Sequence, residues 1–214
     1  TGLFEPRQAY SAVTYPMGVA LGDLDQDGNL DAVVTSDINN FFRVMRGNGD
    51  GSFSGQSSYG TAQRPERIAL GDLNNDGDLD AVTTGDVGAD SVSVLMGQSG
   101  TSFSSYTPYG VGPDPKTVLL ADLDDDGALD VLTANGGNDT VSILLGQGDG
   151  TFAAAFSYNR GGSIAVGDLN GDSHLDLVSG STALSVRFGA GDGTFGGLQS
   201  YSGSGTVELG DING

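Results

Sequence analysis

Four segments of this chain carry oxygen-bearing side chains at the same spacing. They read DLDQDGNLD from Asp23, DLNNDGDLD from Asp72, DLDDDGALD from Asp122 and DLNGDSHLD from Asp168. In each segment Asp or Asn stands at positions one, three and five, and Asp stands at position nine. A hard cation such as Ca2+ takes about six to eight oxygen ligands at roughly 2.3–2.6 Å, so this spacing predicts a cation cage.

The candidate ligands are the side chains at positions one, three, five and nine and the backbone carbonyl at position seven. Loop one (23–31) supplies Asp23, Asp25, Asp27, Asn29 and Asp31, and loop two (72–80) supplies Asp72, Asn74, Asp76, Asp78 and Asp80. Loop three (122–130) supplies Asp122, Asp124, Asp126, Ala128 and Asp130, and loop four (168–176) supplies Asp168, Asn170, Asp172, His174 and Asp176. A partial fifth copy holds Asp211 and Asn213. We therefore expect about four Ca2+ sites, and a fifth only if other oxygens complete it.

Two other interpretations of these loops compete with a β-hairpin metal site. Asp- and Asn-rich turns can bond their own backbone amides without any metal, although four copies in register make this less attractive. An EF-hand or dockerin shares the opening ligands, but it needs a carboxylate at position twelve and flanking helices. Here β-branched runs such as LDAVVT (30–35) follow the loops, which favours strands.

The four loops differ in their expected strength. Loops one and three have Asp at position three, whereas loop two has Asn74 there. In loop four Ser173 replaces the glycine of position six. If that position needs a positive φ, a residue other than glycine costs on the order of 1 kcal/mol, so loop four is expected to be the weakest.

The loops recur with the period of a β-propeller blade. Their opening aspartates are separated by 49, 50, 46 and 43 residues. Five phenylalanines are each followed six residues later by tyrosine: Phe4 and Tyr10, Phe53 and Tyr59, Phe103 and Tyr109, Phe152 and Tyr158, Phe195 and Tyr201. Each period also contains four short apolar runs bounded by turn residues. We predict four antiparallel strands per unit, the fourth beginning at Phe and ending at Tyr, with both rings packed between neighbouring units.

We expect a single all-β domain over 1–214, a β-propeller of four-stranded antiparallel blades. The complete repeats are approximately 17–65, 66–115, 116–161 and 162–204, and the partial ones are 1–16 and 205–214. About four complete repeats with a partial one at each end predict part of a larger propeller or an assembly of chains. Exposed strand edges of such a unit invite self-association.

The pattern as a whole resembles the VCBS/FG-GAP repeat of extracellular β-propellers, which also occurs in the integrin alpha head. The resemblance rests on the DLDQDGNLDAVV segment and on the turn GQGDGTF (146–152), and it covers essentially the whole chain. It implies Ca2+ sites in the hairpin between the first two strands of each blade. Propellers of this family usually have about seven blades, whereas four complete loops are present here.

Composition restricts the partners and the location of the protein. The chain has 28 acidic and 8 basic residues and a net charge of -20, which repels nucleic acid and anionic membrane surfaces. No stretch approaches the roughly 18 apolar residues of a membrane span, so we expect no membrane insertion. Weak Ca2+ sites fill at the millimolar Ca2+ found outside cells, so a secreted or cell-surface location is expected.

The residues favour a binding module over an enzyme. The chain has no Cys and a single His, His174, and every close pair of carboxylates belongs to a cation loop. We expect no catalysis, but an extracellular module with structural Ca2+ that serves adhesion, carbohydrate binding, or surface or filament assembly. The alternative is a non-catalytic propeller segment of a secreted polysaccharide-active enzyme.

The rim opposite the acidic loops varies from repeat to repeat, and variable loops on a fixed scaffold are where recognition is expected. A glycan or another protein is the expected partner there. The candidate contacts are Tyr15, Arg64, Arg67, Lys116 and Arg160, together with Asp37, Asn39, Asp86, Asp90, Asn138 and Asp139.

Overall fold

The structure, a computed structural model, describes residues 9–62, 64–85, 88 and 90–210. Over these residues the chain is all-β and forms four four-stranded antiparallel sheets and one two-stranded sheet. In this part of the chain no helix is long and apolar enough to cross a membrane. Phe4, Asp86, Asp211 and Asn213, all predicted to matter, lie outside the described residues.

Each four-stranded sheet is one blade, and its strands lie in chain order. Blade one contains β1 (Pro16–Gly22), β2 (Asp31–Ser36), β3 (Phe41–Gly47) and β4 (Phe53–Gly60). Blade two contains β5 (Ile68–Gly71), β6 (Asp80–Thr84), β7 (Ser91–Leu95) and β10 (Thr107–Gly110), and the pair β8 (Gly97–Gln98) and β9 (Ser102–Phe103) forms the small sheet. Blade three contains β11 (Pro115–Ala121), β12 (Asp130–Asn135), β13 (Thr140–Leu144) and β14 (Phe156–Asn159). Blade four contains β15 (Ser163–Gly167), β16 (Asp176–Gly180), β17 (Leu184–Arg187) and β18 (Gln199–Tyr201).

The acidic loop closes the first hairpin of every blade. Its position nine is the first residue of the second strand and pairs with the residue just before position one, as Asp31 does with Gly22 and Asp130 with Ala121. The turn between the third and fourth strands lies on the same rim, since Gly150 N in blade three donates to Leu73 O of loop two at 3.1 Å. The acidic loops and the glycine-rich turns therefore share one rim.

The fourth strand differs from the prediction. Only in blade one does it run unbroken from the Phe, over Phe53–Gly60. In blades three and four Phe152 and Phe195 make isolated bridges to Gly146 and Gly189, and the strand resumes at Phe156 and Gln199. The residue after each Phe donates back to the third strand and then the chain leaves the ladder, as Ala153 N does to Leu145 O at 2.8 Å. A single predicted strand was therefore wrong for blades two to four.

The hydrophobic core lies between neighbouring blades. Between blades one and two, Val33 and Phe42 pack with Ile68, Ala81 and Leu95. Equivalent clusters join blades two and three and blades three and four. Each junction is therefore formed by the facing sides of two neighbouring sheets.

The Phe and Tyr rings meet across these junctions, as predicted. The Tyr of one repeat packs against the Phe of the next, with ring centroids 5.1–5.7 Å apart in edge-to-face geometry. The pairs are Tyr10 with Phe53, Tyr59 with Phe103, Tyr109 with Phe152, and Tyr158 with Phe195.

Candidate metal centres

The aspartate at position one organises the turn of each loop. In loop one Asp23 Oδ1 accepts from Asp27 N at 3.0 Å and Asp23 Oδ2 accepts from Gly28 N at 2.8 Å. Loops two and three repeat both bonds at Asp72 and Asp122. These carboxylates bend the chain around themselves, which brings the side chains of positions three and five to the same side.

Positions four and six both require a left-handed backbone. At position six φ is 87–90° for Gly28, Gly77 and Gly127, and 74° for Ser173. The condition behind the expected weakness of loop four therefore holds, because Ser173 pays the cost of a Cβ at positive φ.

The need for a left-handed backbone at position four was missed from the sequence. Here φ is 57–58° for Gln26, Asn75 and Asp125, and 81° for Gly171. In loop four the glycine thus lies at position four instead of position six. The left-handed backbone is therefore unstrained at Gly171 but strained at Ser173. Asn75 and Asp125 are of types that tolerate this conformation better than most residues, so their presence at position four could have indicated a left-handed backbone there.

The aspartate at position nine ties the loop to the third strand. Its Oδ2 accepts from the amide of position two, over 3.0 Å from Leu24 N in loop one. Its Oδ1 accepts from a glycine at the end of the third strand or up to two residues beyond it, over 2.8 Å from Gly47 N in blade one. The same two bonds occur in all four blades. The aspartates concerned are fully buried: Asp31, Asp80, Asp130 and Asp176.

We call the aspartate of position nine with its two backbone hydrogen bonds the clamp. The clamp requires a glycine for steric reasons, and it buries a carboxylate. A Cβ at Gly47 would collide with Leu30 O, and the equivalent glycines of the other blades are equally tight. Burial raises the pKa of Asp80 and of Asp130 to about 6, against two backbone hydrogen bonds that favour the charged carboxylate. A carboxylate oxygen keeps a second lone pair after accepting one bond, so the clamp leaves position nine able to contact a cation.

Positions three and five are joined differently in different loops. In loops two and four the amide of Asn74 or Asn170 donates to the carboxylate of position five at 2.9 Å. In loop three Asp124 cannot donate, and burial, followed by repulsion from Asp126, raises its pKa. Loop three therefore holds carboxylates close together with no donor between positions three and five.

Loop one contacts an arginine that the spacing of the oxygen side chains does not predict. Arg46 Nη2 lies 2.6 Å from Asp25 Oδ2 and 3.1 Å from Asp27 Oδ2. The hydrogen bond from Asn29 N and then the one from Arg46 lower the pKa of Asp27. The alternation of side chains along β3 could have indicated which way Arg46 points. A β-bulge between Met45 and Arg46 changes that direction, however, and a bulge is not visible in the sequence.

The residues of loops one and three fit a hard divalent cation. Asp23, Asp25 and Asp27 form one group of carboxylate oxygens within 4.8 Å of one another, and Asp122, Asp124 and Asp130 form a second. Asp25 Oδ1 and Asp124 Oδ1 are buried and have no hydrogen-bond partner among the described residues. Buried oxygens normally have partners, and a set made only of oxygens is what Ca2+ prefers, so the orphaned atoms are consistent with a metal ligand.

The other predicted ligands are placed less closely. Within the described residues, loops two and four give no group of three carboxylates. Asp168 and Asn170 are exposed, and the leucine at position two of loop four, Leu169, is 47% exposed, whereas Leu73 of loop two is 2% exposed. His174, at position seven of loop four, places Nδ1 at 2.8 Å from Asp125 Oδ2 of loop three.

The opposite rim holds most of its polar candidates in internal contacts. Arg64 Nη2 lies 2.9 Å from Asp37 Oδ1, Lys116 Nζ lies 2.9 Å from Glu66 Oε1, and Arg67 donates to Met17 O at 3.2 Å. Asn39 and Asn138 bond Ser36 and Thr140, while Asp90 and Asp139 accept through their backbone carbonyls. Tyr15 is 66% exposed. The residues at equivalent places, Tyr15, Arg64, Asp114 and Arg160, all have φ between 46° and 72°.

Known proteins support this architecture. No curated protein matches the sequence. The structure is similar to a lectin of Agrocybe aegerita, described as recognising non-reducing terminal N-acetylglucosamine, with 25% identity and a TM-score of 0.61 over 84% of this chain and 50% of the lectin chain. It is also similar to the V. cholerae biofilm matrix protein Bap1, with 23% identity and a TM-score of 0.53 over 90% of this chain and 30% of Bap1. The chain thus spans half or less of these two proteins.

A family model described as FG-GAP-like repeat matches residues 23–83 and 122–179, more than half of the sequence. The first match contains loops one and two and the second contains loops three and four. The matched residues also include the strands that follow loops one and three, β2 and β12, and the strands that precede loops two and four, β5 and β15. The chain therefore belongs to the FG-GAP-like repeat family.

Proposed function

We propose that this chain is an extracellular, calcium-binding repeat module in which Ca2+ stabilises the first hairpin of the blades. The rim opposite the acidic loops binds a carbohydrate or another protein. The metal proposal rests on two buried oxygens, Asp25 Oδ1 and Asp124 Oδ1, which have no hydrogen-bond partner among the described residues. Both lie in loops whose candidate metal ligands are all oxygens.

The metal would act through charge neutralisation. In loop three Asp122, Asp124 and Asp130 bring carboxylate oxygens within 4.8 Å of one another. Like charges at this distance repel strongly in a partly buried site. A divalent cation between them would replace this repulsion with attraction to the cation. The chain's own residues then hold the ion and keep both strands of the hairpin together.

Thermal unfolding in CaCl2, MgCl2 and EDTA tests the proposal. A ligand that binds only the folded state stabilises it by about 2.7 kcal/mol per site at a hundredfold excess over Kd, so we expect a higher Tm in Ca2+ than in EDTA. Mg2+ should give a smaller gain because it loses its water reluctantly. An equal Tm in all three buffers would refute structural Ca2+.

A variant pair assigns the effect to loop three. Asp124→Asn keeps the side-chain shape and reproduces the residue that loops two and four have at position three. We expect it to reduce the Tm gain in Ca2+. Asp149→Asn removes the same charge from an exposed turn of blade three, outside the loops, and should leave the gain unchanged.

The carbohydrate proposal is supported by the similarity to the Agrocybe aegerita lectin, whose description names N-acetylglucosamine. On this chain the exposed ring of Tyr15 on the variable rim offers a surface on which a sugar could stack. A glycan array probed with the protein in Ca2+ and in EDTA tests it, and Tyr15→Ala should abolish any signal from this rim. We also propose that the module binds rather than catalyses, because its clustered carboxylates serve the loops.

A further inference from the structure

The four loops differ in what lies at the end of the third strand. The residue before the glycine that donates to position nine is Arg46 in blade one, Met96 in blade two, Leu145 in blade three and Phe188 in blade four. Among these equivalent positions only the first carries a charge. Its guanidinium contacts the carboxylates of positions three and five, Asp25 and Asp27, over 2.6 and 3.1 Å.

We propose that Arg46 is an internal counter-cation of loop one, which neutralises this loop in the absence of metal and lowers its affinity for Ca2+ below that of loop three. This inference rests on the proposed calcium function. Asp25 shows how both can act: its Oδ2 faces Arg46, whereas its Oδ1 is buried without a partner. A divalent cation at Oδ1 would then share one carboxylate with the guanidinium, and the two positive charges would repel each other.

Loop three differs at this place, because the residue at the corresponding position, Leu145, is apolar. Among the described residues, the basic side chain that contacts loop three is His174, and it bonds Asp125 at position four rather than positions three or five. Neutralisation of loop three therefore depends on an external cation. The ligand spacing alone predicts equal Ca2+ affinities for loops one and three, whereas the contact with Arg46 predicts a lower affinity for loop one.

The test follows each loop separately by two-dimensional NMR of the full chain during a CaCl2 titration. The position-six amides of Gly28 and Gly127 donate to Asp23 and Asp122 and report on loops one and three. In the wild type we expect the Gly127 resonance to reach its midpoint at lower Ca2+ than the Gly28 resonance. In Arg46→Met the Gly28 midpoint should fall about fivefold, because a nearby positive charge no longer repels the cation, and the Gly127 midpoint should not move.

Three further variants make the result specific. Arg43→Met removes the same charge from the same strand but leaves the loop contacts, so the Gly28 midpoint should stay at the wild-type value. Arg46→Gln replaces Arg46→Met if the latter does not fold. Met96→Arg places a cation at the equivalent sequence position of blade two, and it should raise the midpoint of Gly77 if its guanidinium reaches the carboxylates of loop two.

The outcomes separate this inference from the proposed function. If neither glycine responds to Ca2+, the calcium function fails and the inference with it. If Gly127 responds but Arg46→Met and Arg46→Gln leave the Gly28 midpoint unchanged or raise it, the role of Arg46 is refuted while calcium binding stands.

Discussion

The side-chain amide of Gln26, at position four of loop one, donates to Asp78 Oδ1, at position seven of loop two, over 3.0 Å. The same two positions meet again between loops three and four, where Asp125 Oδ2 lies 2.8 Å from His174 Nδ1. Between loops two and three the equivalent residues are Asn75 and Ala128, and the alanine side chain has no polar atom. The four acidic loops therefore form two directly linked pairs.

A double-mutant cycle should detect the link between loops one and two. Gln26→Ala and Asp78→Ala together should destabilise the protein less than the sum of the single changes, by about 0.5 kcal/mol, because either change alone already breaks the bond. Urea unfolding measures each variant. The cycle of Asn75→Ala with Asp78→Ala provides the control and should be additive, and additivity in the Gln26 cycle would contradict the link.

His174 should titrate above its ordinary range in the metal-free protein. The hydrogen bond with Asp125 raises its pKa, and the contribution of this pair to stability is present below the unfolded pKa of about 6.5 and lost as pH rises through the folded pKa. Since the chain has a single histidine, its ring resonances give the midpoint directly. Asp125→Asn should bring the midpoint back towards 6.5, whereas Asp149→Asn should not, and equal midpoints in all three proteins would contradict the pairing.

Much of the fold could be predicted from the sequence because a feature that recurs in every repeat can be recognised by its recurrence. The period, the first hairpin and the Tyr–Phe contact between units follow from features that occur four or five times, as with Tyr158 and Phe195. Irregularities of the backbone could not be predicted. The bulge at Arg46 depends on the local strand register. The break after the Phe of blades two to four depends on a backbone hydrogen bond, such as that from Ala153 N to Leu145 O, which the pattern of side chains does not reveal.

The candidate site was predictable to a similar degree. The oxygen spacing predicts the candidate ligands, but it does not show that Asp130 also accepts from Gly146 N, just after the third strand, at 2.7 Å. This second role depends on where another strand ends, which is tertiary information. Likewise the contact of Gln26 with loop two depends on the angle between neighbouring blades.

Replacing Ser173 with glycine should stabilise loop four. Ser173 has φ 74°, a conformation that costs a residue with a Cβ on the order of 1 kcal/mol, and glycine returns part of this gain through greater freedom of the unfolded chain. We expect Ser173→Gly to raise the free energy of unfolding by about 0.5 kcal/mol in EDTA, measured by urea unfolding. Gly171→Ser, which adds a Cβ at φ 81° in the same loop, should lower it, and a loss of stability in Ser173→Gly would show that the serine side chain matters more than its backbone.

The hydroxyl of Tyr158 should contribute to the junction between blades three and four. It accepts from Phe195 N at 2.9 Å, and Arg187 lies 4.9 Å above the ring. Tyr158→Phe keeps the ring contact but leaves the Phe195 amide without this acceptor, which should cost about 1 kcal/mol. Tyr109→Phe is the matched control because Tyr109 packs against Phe152 in the same way at 5.1 Å, and its hydroxyl makes no hydrogen bond to the described residues. Equal unfolding free energies of the two variants would contradict a role for the hydroxyl.

The clamp aspartates should make the metal-free protein more stable in mild acid than at neutral pH. Burial raises the pKa of Asp80 and Asp130 to about 6, above the unfolded value of about 3.9. Between these values the folded state binds more protons than the unfolded state, so the free energy of unfolding falls as pH rises. We expect urea unfolding in EDTA to show higher stability at pH 5 than at pH 7.5.

Asp130→Asn tests which group causes this slope. The change removes one titrating carboxylate and one backbone acceptor, so the variant should be less stable at every pH but should show a shallower dependence on pH. Asp149→Asn should keep the wild-type slope, because Asp149 is exposed and hydrogen bonds from Thr151 lower its pKa. In Ca2+ the slope should reverse, because protonation of the loop carboxylates competes with the metal and acid then removes the stabilisation. A wild-type slope in Asp130→Asn would rule out the buried clamp as the titrating group.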